Sequence, residues 1–392
     1  MKRLIRFKPA AVGIGVLVAI AACTDQAVSP TSPADATALS AHHAPSTNDV
    51  GGVYTMTNGA SANAVLAFRR AADGSLTSIG TVPTGGRGTG GTVDPLQSQY
   101  ALLLDGGHRL LFAVNAGSDD VSAFRVAHDG SLEFADRAGS GGDLPVSLAT
   151  RGRFLFVLNA GDNTVSGLRV DPRGKLIPIP HSTRSLAPGA AGASTIHFTP
   201  DGAWLVVTER GANRIETFPV AANGRPGEPV VTASNGATPF GFDVTPGGHP
   251  IITEAAGAAP NGAVSSYAIA ASGVLNVITP SLDAGGKATC WLILTADGAL
   301  AFAANSASNA IAALRVADDG VVTLLDAQAG PTGAGSTPLD LDLAAGDRFL
   351  YALEAGSGNI AAFEVGGTGT LSGRPDTPAG AAASGLQGLA AW

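Results

Sequence analysis

The sequence predicts an all-β protein, a seven-bladed β-propeller of four-stranded antiparallel blades, on three observations. First, one hairpin pattern returns seven times. An apolar residue is followed nine positions later by a turn glycine at Val65/Gly74, Val121/Gly130, Val165/Gly174, Ile215/Gly224, Val264/Gly273, Ile311/Gly320 and Ile360/Gly369. The intervals between those glycines are 56, 44, 50, 49, 47 and 49 residues, which marks a repeat array. Second, each period holds short runs of alternating polar and apolar residues, and helical periodicity is absent. Third, the first copy opens directly on a second strand, Val53-Tyr54-Thr55-Met56. The chain finishes on a first-strand-like run, Gly385 to Ala390, with no second strand after it. The C-terminal run is therefore expected to complete the blade begun by the N-terminal run, which removes a free sheet edge and locks the ring. An open β-solenoid is the competing architecture; its repeats are usually shorter and do not divide one unit between the two ends.

The elements follow in order. Residues 1–22 read as a leader: Lys2, Arg3, Arg6 and Lys8 precede an apolar run, Ala10 to Ala22, that is short for a bilayer span and ends in small residues. Residues 23–49 are rich in Ala, Ser, Thr, Pro and Asp without apolar periodicity, so they read as a flexible tether. His42-His43 lies there, as a solvated pair or a weak metal signal. Residues 50–392 form the propeller. In the fourth copy, Ser194-Thr195-Ile196-His197-Phe198 alternates as a half-buried strand, and Pro200-Asp201-Gly202 turns the chain. Trp204 to Glu209 is the second strand, Ile215 to Val220 the third, and Asn223-Gly224 supplies the tight turn before a looser fourth. Second strands recur at Leu111–Val114, Leu155–Leu158, Ala301–Ala304 and Leu350–Leu353. First strands recur at Pro145–Leu148, Pro239–Phe242 and Pro338–Leu341.

Composition narrows the function. The net charge of -8 and 5% aromatic residues argue against nucleic acid as a partner, which would need a basic face and stacking rings. The sequence lacks a Gly-x-Ser-x-Gly elbow, a phosphate loop, a His-Glu-x-x-His motif and a Cys-x-x-Cys pair. The glycine-rich run Gly85 to Gly91 has no helix pattern behind it and reads as a loop between blades. Cys290, in an apolar stretch without a neighbouring base, reads as an inert buried thiol.

Two resemblances add to this. Ile20-Ala21-Ala22-Cys23 resembles the lipobox of bacterial lipoproteins, which implies lipidation of Cys23, export and anchorage in the cell envelope. Thr24 after the cysteine favours the outer membrane if the cell has two. An ordinary signal peptide with a chance cysteine is the other reading. The repeats themselves resemble the seven-bladed lactonase-type propellers, a group that includes 6-phosphogluconolactonases and carboxymuconate lactonizing enzymes. The best-matching run is Phe198-Thr199-Pro200-Asp201-Gly202 followed by Leu205-Val206-Val207-Thr208-Glu209. The resemblance implies an active-site glutamate at Glu209. The Pro-Arg-His that family enzymes place just before the phenylalanine is missing; Ala193, Ser194 and Thr195 stand there, and His197 and Arg210 are the substitutes within reach.

The second strands end in Asn58, Asn115, Asn159, Glu209, Glu254, Asn305 and Glu354, which sevenfold repetition would place around one rim of the channel. Such residues beside Gly-rich loops can simply bond nearby backbone, although four Asn and three Glu are more varied than a purely structural ring requires. Thr195, His197, Asp243, Asp340 and Asp342 fall on polar positions of the first strands. Trp291 occupies the position of Thr195 in the sixth blade, as a channel-mouth platform or as packing between blades. Three chemistries stay open: a carboxylate acting as general base on a lactone, oxygen ligands for a hard cation such as Ca2+, and an inert solvated ring. No compact motif calls for a cofactor or a metal. In the enzyme reading Glu209, His197, Glu254 and Asp340 are the candidate catalytic residues. Asn115, Asn159, Thr195, Arg210, Trp291, Asn305 and Glu354 are the candidate substrate contacts. The protein would be a monomer acting on a small lactone or related carboxylic compound at the channel mouth. The alternative is a non-catalytic envelope propeller that binds a protein or glycan.

Overall fold

The computed structural model describes residues 49–392. The leader, the tether, His42-His43 and the Cys23 anchor lie outside the described residues. Seven antiparallel sheets succeed one another along the chain, and we number the blades 1 to 7. Blade 1 is closed as expected: Gln387–Ala391 pairs with Asp49–Met56, Val53 opposite Ala391 and Thr55 opposite Leu389. In each later blade the innermost strand comes first. The fourth blade runs Ala193–Phe198, Trp204–Glu209, Arg214–Pro219 and Val230–Ala233. In blades 3 and 7 the outermost strand is broken into two short pieces, Leu176–Pro178 with Arg184–Ser185 and Leu371–Gly373 with Thr377–Pro378. Short, interrupted outer strands present little edge for foreign pairing.

The blades pack through their second and third strands, whose residues are almost all buried. Leu111, Phe112, Leu155, Phe156, Leu205 and Phe218 belong to one continuous core. The Tyr54 and Tyr351 hydroxyls sink between blades and donate to the carbonyls of Gly130 (2.9 Å) and Gly74 (2.7 Å), so those turn glycines double as inter-blade sockets.

The channel is not empty. Residues 94–100, on the long connection from blade 1 to blade 2, cross it and bond to five other blades. Gln387 in blade 1 donates to Asp94 (3.4 Å), and Ser98 donates to the Val146 carbonyl in blade 3 (2.8 Å). Tyr100 donates to the Phe242 carbonyl in blade 5 (3.3 Å), and its backbone N–H meets Asp340 in blade 7. Gln99 behaves as an added strand residue for blade 6, donating to the Leu292 carbonyl (2.7 Å) and accepting from the Leu292 N–H (3.2 Å). Gly241 makes room for it: a Cβ there would lie 2.1 Å from the Gln99 amide oxygen. Truncating Gln99 to alanine leaves two buried backbone groups of Leu292 unpaired. We expect it to cost about 2–3 kcal/mol, read as a lowered urea midpoint; an unchanged midpoint would show that water replaces the amide.

Candidate functional site

At the rim where second strands end, register sets three positions against each other. The last residue of the second strand faces the first residue of the third, and the residue two further on shares its face. In blade 3 these are Asn159, Thr164 and Ser166; the Asn159 amide donates to the Thr164 hydroxyl (3.3 Å) and the Ser166 hydroxyl (3.1 Å). In blade 2 Asn115 donates to Asp120 (2.6 Å) and Ser122 (2.8 Å) and accepts from Asn63 (3.0 Å). In blade 6 Asn305 accepts from Thr289 (2.6 Å) and donates to the Ala284 carbonyl (3.2 Å). These three asparagines, expected as substrate contacts, are fully buried and tie hairpins together. Asn58 is one residue beyond the ring: Met56 pairs with Val65 and Thr57 bonds Ala64, so Thr57 holds the equivalent place.

Blade 4 is built differently. Its three positions are Glu209, Arg214 and Glu216, charged at every place. Arg214 Nε lies 2.7 Å from Glu209 Oε1 and Nη2 lies 3.0 Å from Glu216 Oε1. Both glutamates are fully buried and Arg214 is 14% exposed. The surface loop 187–192 straps the trio. Ala187 N–H reaches both Glu216 oxygens (3.0 and 3.1 Å), and Ala191 N–H reaches Glu209 Oε2 (3.0 Å). Arg214 donates to the carbonyls of Pro188 (3.0 Å) and Ala187 (2.6 Å). Gly189 turns this loop at a φ of +81°, facing open space, where an L side chain would be strained. Burial, reinforced by the Glu209 carboxyl alongside, pushes Glu216 up to about 8. Burial would lower the Arg214 guanidinium, but its two carboxylate partners outweigh that and hold it up. The trio therefore keeps Glu216 protonated at neutral pH beside a guanidinium that stays charged.

The remaining candidates are placed apart from this trio. The four expected catalytic residues share no hydrogen bond or ion pair with one another among the described residues. Glu254 accepts from Gly236 N–H (2.8 Å), Ser265 (2.6 Å) and Ser281 (2.7 Å), a saturated buried carboxylate. Asp340 accepts from Gly388 N–H (2.9 Å), clipping blade 7 to blade 1, and Asp342 does the same to Ala391 (2.7 Å). Asp243 clips blade 5 to Leu294 of blade 6 (3.1 Å). Burial pushes both Asp340 and Asp342 up to about 7, and Tyr100, wedged among Asp243, Asp342 and Asp340, is raised well above its usual range by burial first. His197 stacks on Tyr100, ring centroids 5.2 Å apart, three strand positions away from Glu209 by register. Thr195 is buried with its hydroxyl unpartnered, and Arg210 is half-buried with Nε likewise unpartnered. Glu354 accepts from Ser357 (2.8 Å), and burial raises it. Trp291 is no platform: it is fully buried, edge-on to Phe240 at 5.0 Å, and donates to the Ser98 carbonyl (2.9 Å). Among the described residues no group of three His, Cys, Asp or Glu side chains is arranged to hold a metal ion.

Of the sequence candidates, then, only Glu209 sits in a charged constellation, and its partners Arg214 and Glu216 were not singled out. The signal was present: in blades 2, 3, 4, 6 and 7 the position five beyond the end of the second strand faces it, and the position seven beyond shares that face.

The family model for the seven-bladed β-propeller lactonases matches residues 43–185 and 177–290. No curated protein matches the chain. Among solved structures, a candidate 6-phosphogluconolactonase from Bacteroides fragilis superposes with a TM-score of 0.67 at 18% identity, over 89% of this chain and 100% of its own. The periplasmic gluconolactonase of Pseudomonas aeruginosa superposes with a TM-score of 0.66 at 20% identity, over 86% and 98%. A Lactobacillus plantarum protein gives 0.67 at 17%, over 88% and 99%. At these identities the likeness carries the fold, and the family model carries the membership. With the blade count, the closure of blade 1 and the matched repeats in agreement, the chain belongs to the seven-bladed β-propeller lactonase family.

Proposed function

We propose that the protein is a lactone hydrolase whose acid–base set is Glu209, Arg214 and Glu216 under the 187–192 loop. The observation that supports this is the charged trio at positions that blade 3 fills with neutral Asn, Thr and Ser. Burying ions is costly where neutral groups suffice, and a carboxyl pushed up to about 8 by burial beside a second one, as Glu216 is, is a signature of acid–base chemistry. With the loop lifted, Glu209 takes a proton from water as the water oxygen adds to the lactone carbonyl carbon. Arg214 holds the developing oxyanion. The ring C–O bond then breaks, and Glu216 gives its proton to the departing ring oxygen. Water and lactone become one hydroxy acid, and transfer of the proton from Glu209 to Glu216 restores the start.

The substrate reading extends to place. A leader over residues 1–22 and lipidation at Cys23 would put this chemistry outside the cytosol, where a neutral sugar lactone is a better substrate than a phosphorylated one. The Pseudomonas relative, described as a periplasmic gluconolactonase, lends support to that choice.

The test is acid release from a panel of five- and six-membered sugar lactones by the purified protein and by Glu209→Gln. Turnover should fall about 10²–10⁴-fold in the variant. Activity should also decline above about pH 8, as Glu216 loses its proton, and Glu216→Gln should be nearly inactive at every pH. Equal turnover in wild type and Glu209→Gln, or none in wild type across the panel, would reject the assignment.

A further inference from the structure

The opposite face carries a second feature. Second strands begin there, and two cavities flank blade 3. One, about 510 Å³, lies between blades 2 and 3 and is lined by Arg109, Arg153, Arg169, Asp105 and Asp171 among others. The other, about 180 Å³, adjoins blade 4, shares Arg153 and Arg169, and adds Arg225 with Phe154 and the Pro178-Ile179-Pro180 run. The two arginines common to both stand between them, so the cavities form one track.

The repeat supplies an internal control. In blade 7 the residue before the second strand, Arg348, pairs with Glu364 on the third strand at 3.2 Å. By register, the same two places in blade 3 are Arg153 and Arg169. Two like charges thus replace a pair that the same backbone can satisfy, an arrangement that costs stability when nothing compensates it. Among the described residues Arg109, Arg153 and Arg169 have no carboxylate partner and donate no side-chain hydrogen bond, in a protein with 31 acidic and 23 basic residues. The nearby acids are already engaged: Asp105 accepts from the Arg109 and Leu110 N–H groups (2.6 and 2.9 Å), and Asp171 from those of Arg173 and Lys175 (2.8 and 2.9 Å). Arg153 lies over the Phe154 ring at 5.3 Å, which leaves the edge of its guanidinium to solvent.

We propose that this track binds an acidic polysaccharide, with carboxylates of successive residues held by the arginine forks. Guanidinium groups match carboxylates bidentately, and the proline–isoleucine wall offers apolar surface to sugar C–H faces. The other polyanion, a nucleic acid, is disfavoured: of the two rings that line the track, Phe112 is buried and Phe154 lies under Arg153, so bases have little stacking surface, and Asp105 and Asp171 would oppose closely spaced phosphates. The site is independent of the lactone chemistry on the other face.

The experiment is calorimetric titration of the purified protein with polygalacturonate oligomers, neutral dextran oligomers of equal length, inorganic phosphate and a single-stranded oligonucleotide. Polygalacturonate should bind, more weakly as salt rises, and dextran should not. Arg169→Glu, which restores the blade 7 arrangement, should weaken binding at least tenfold while raising the thermal midpoint. Arg315→Glu, the exposed equivalent in blade 6, should leave binding unchanged. Absence of polygalacturonate binding, equal loss in both variants, or binding of phosphate or the oligonucleotide as tight as that of polygalacturonate would overturn the proposal.

Discussion

Replacing Arg214 by methionine should destabilise the protein by about 3–5 kcal/mol, the cost of leaving a buried charge without its counterion. Two glutamates share this one guanidinium, at 2.7 and 3.0 Å, and neither reaches solvent. The variant also strips donors from the Ala187 and Pro188 carbonyls, so the 187–192 loop should become an early site of cleavage in limited proteolysis. The informative partner is the triple variant Glu209→Gln, Arg214→Met, Glu216→Gln. A trio that the fold itself does not need is replaceable by neutral groups of similar volume, so the triple variant should recover most of the lost stability while remaining inactive on lactones. Urea unfolding followed by tryptophan fluorescence measures both. A triple variant as unstable as the single one would mean that the ions themselves hold the blade, and the case for chemistry at this rim would weaken.

Stability should peak near pH 4–5 and fall towards pH 8. Three buried carboxyls set the sign. Glu216 is raised from 4.5 to about 8, and Asp340 and Asp342 from 3.8 to about 7. In each case the folded state holds a proton that the unfolded chain has lost. The contribution is therefore complete below the unfolded values and disappears as pH rises through the folded ones, at roughly 1.4 kcal/mol per pH unit for each group within its window. On the acid side the order reverses. Asp129, Asp201 and Asp297 are held below their usual range by Ser and Thr hydroxyls and backbone N–H groups, and their contribution is lost as pH falls below about 4. Thermal midpoints across pH 3.5–8.5 test the profile. Asp340→Asn should flatten its neutral limb; a maximum at pH 7 or above in the wild type would refute the assignment of these protons.

The fold was legible because its determinants are local and repeated. A turn glycine nine positions after an apolar residue fixes one hairpin, and seven of them fix the blade count. The split blade was legible from the unpaired runs at the two ends. Where the reading failed, the cause was tertiary. Asp94 to Tyr100 carries no period, so nothing local announces that it fills the channel; its burial comes from five other blades. Arg210 attracted notice because it adjoins Glu209 in sequence, whereas Arg214 faces Glu209 across the hairpin. Trp291 was placed at the right register position, yet the channel segment covers that position and accepts its indole hydrogen bond. Ring residues were found by type and place, but whether each was occupied or free depended on neighbours that only the closed ring brings close.

The closing of blade 1 also sets an order of events during synthesis. The strand Val53–Met56 is made early, and its inner partner, Leu389–Ala391, emerges some 330 residues later. At about 5–20 residues per second, that is a wait of roughly 15–70 seconds. Throughout it, blade 1 lacks its inner strand and shows an unpaired edge of Val, Tyr, Thr and Met to every other nascent chain nearby. Blades 2 to 6, each contiguous in sequence, can form while the ribosome is still at work. The ring itself cannot close until residues 389–391 have been made, which makes that strand the natural checkpoint for cellular quality control.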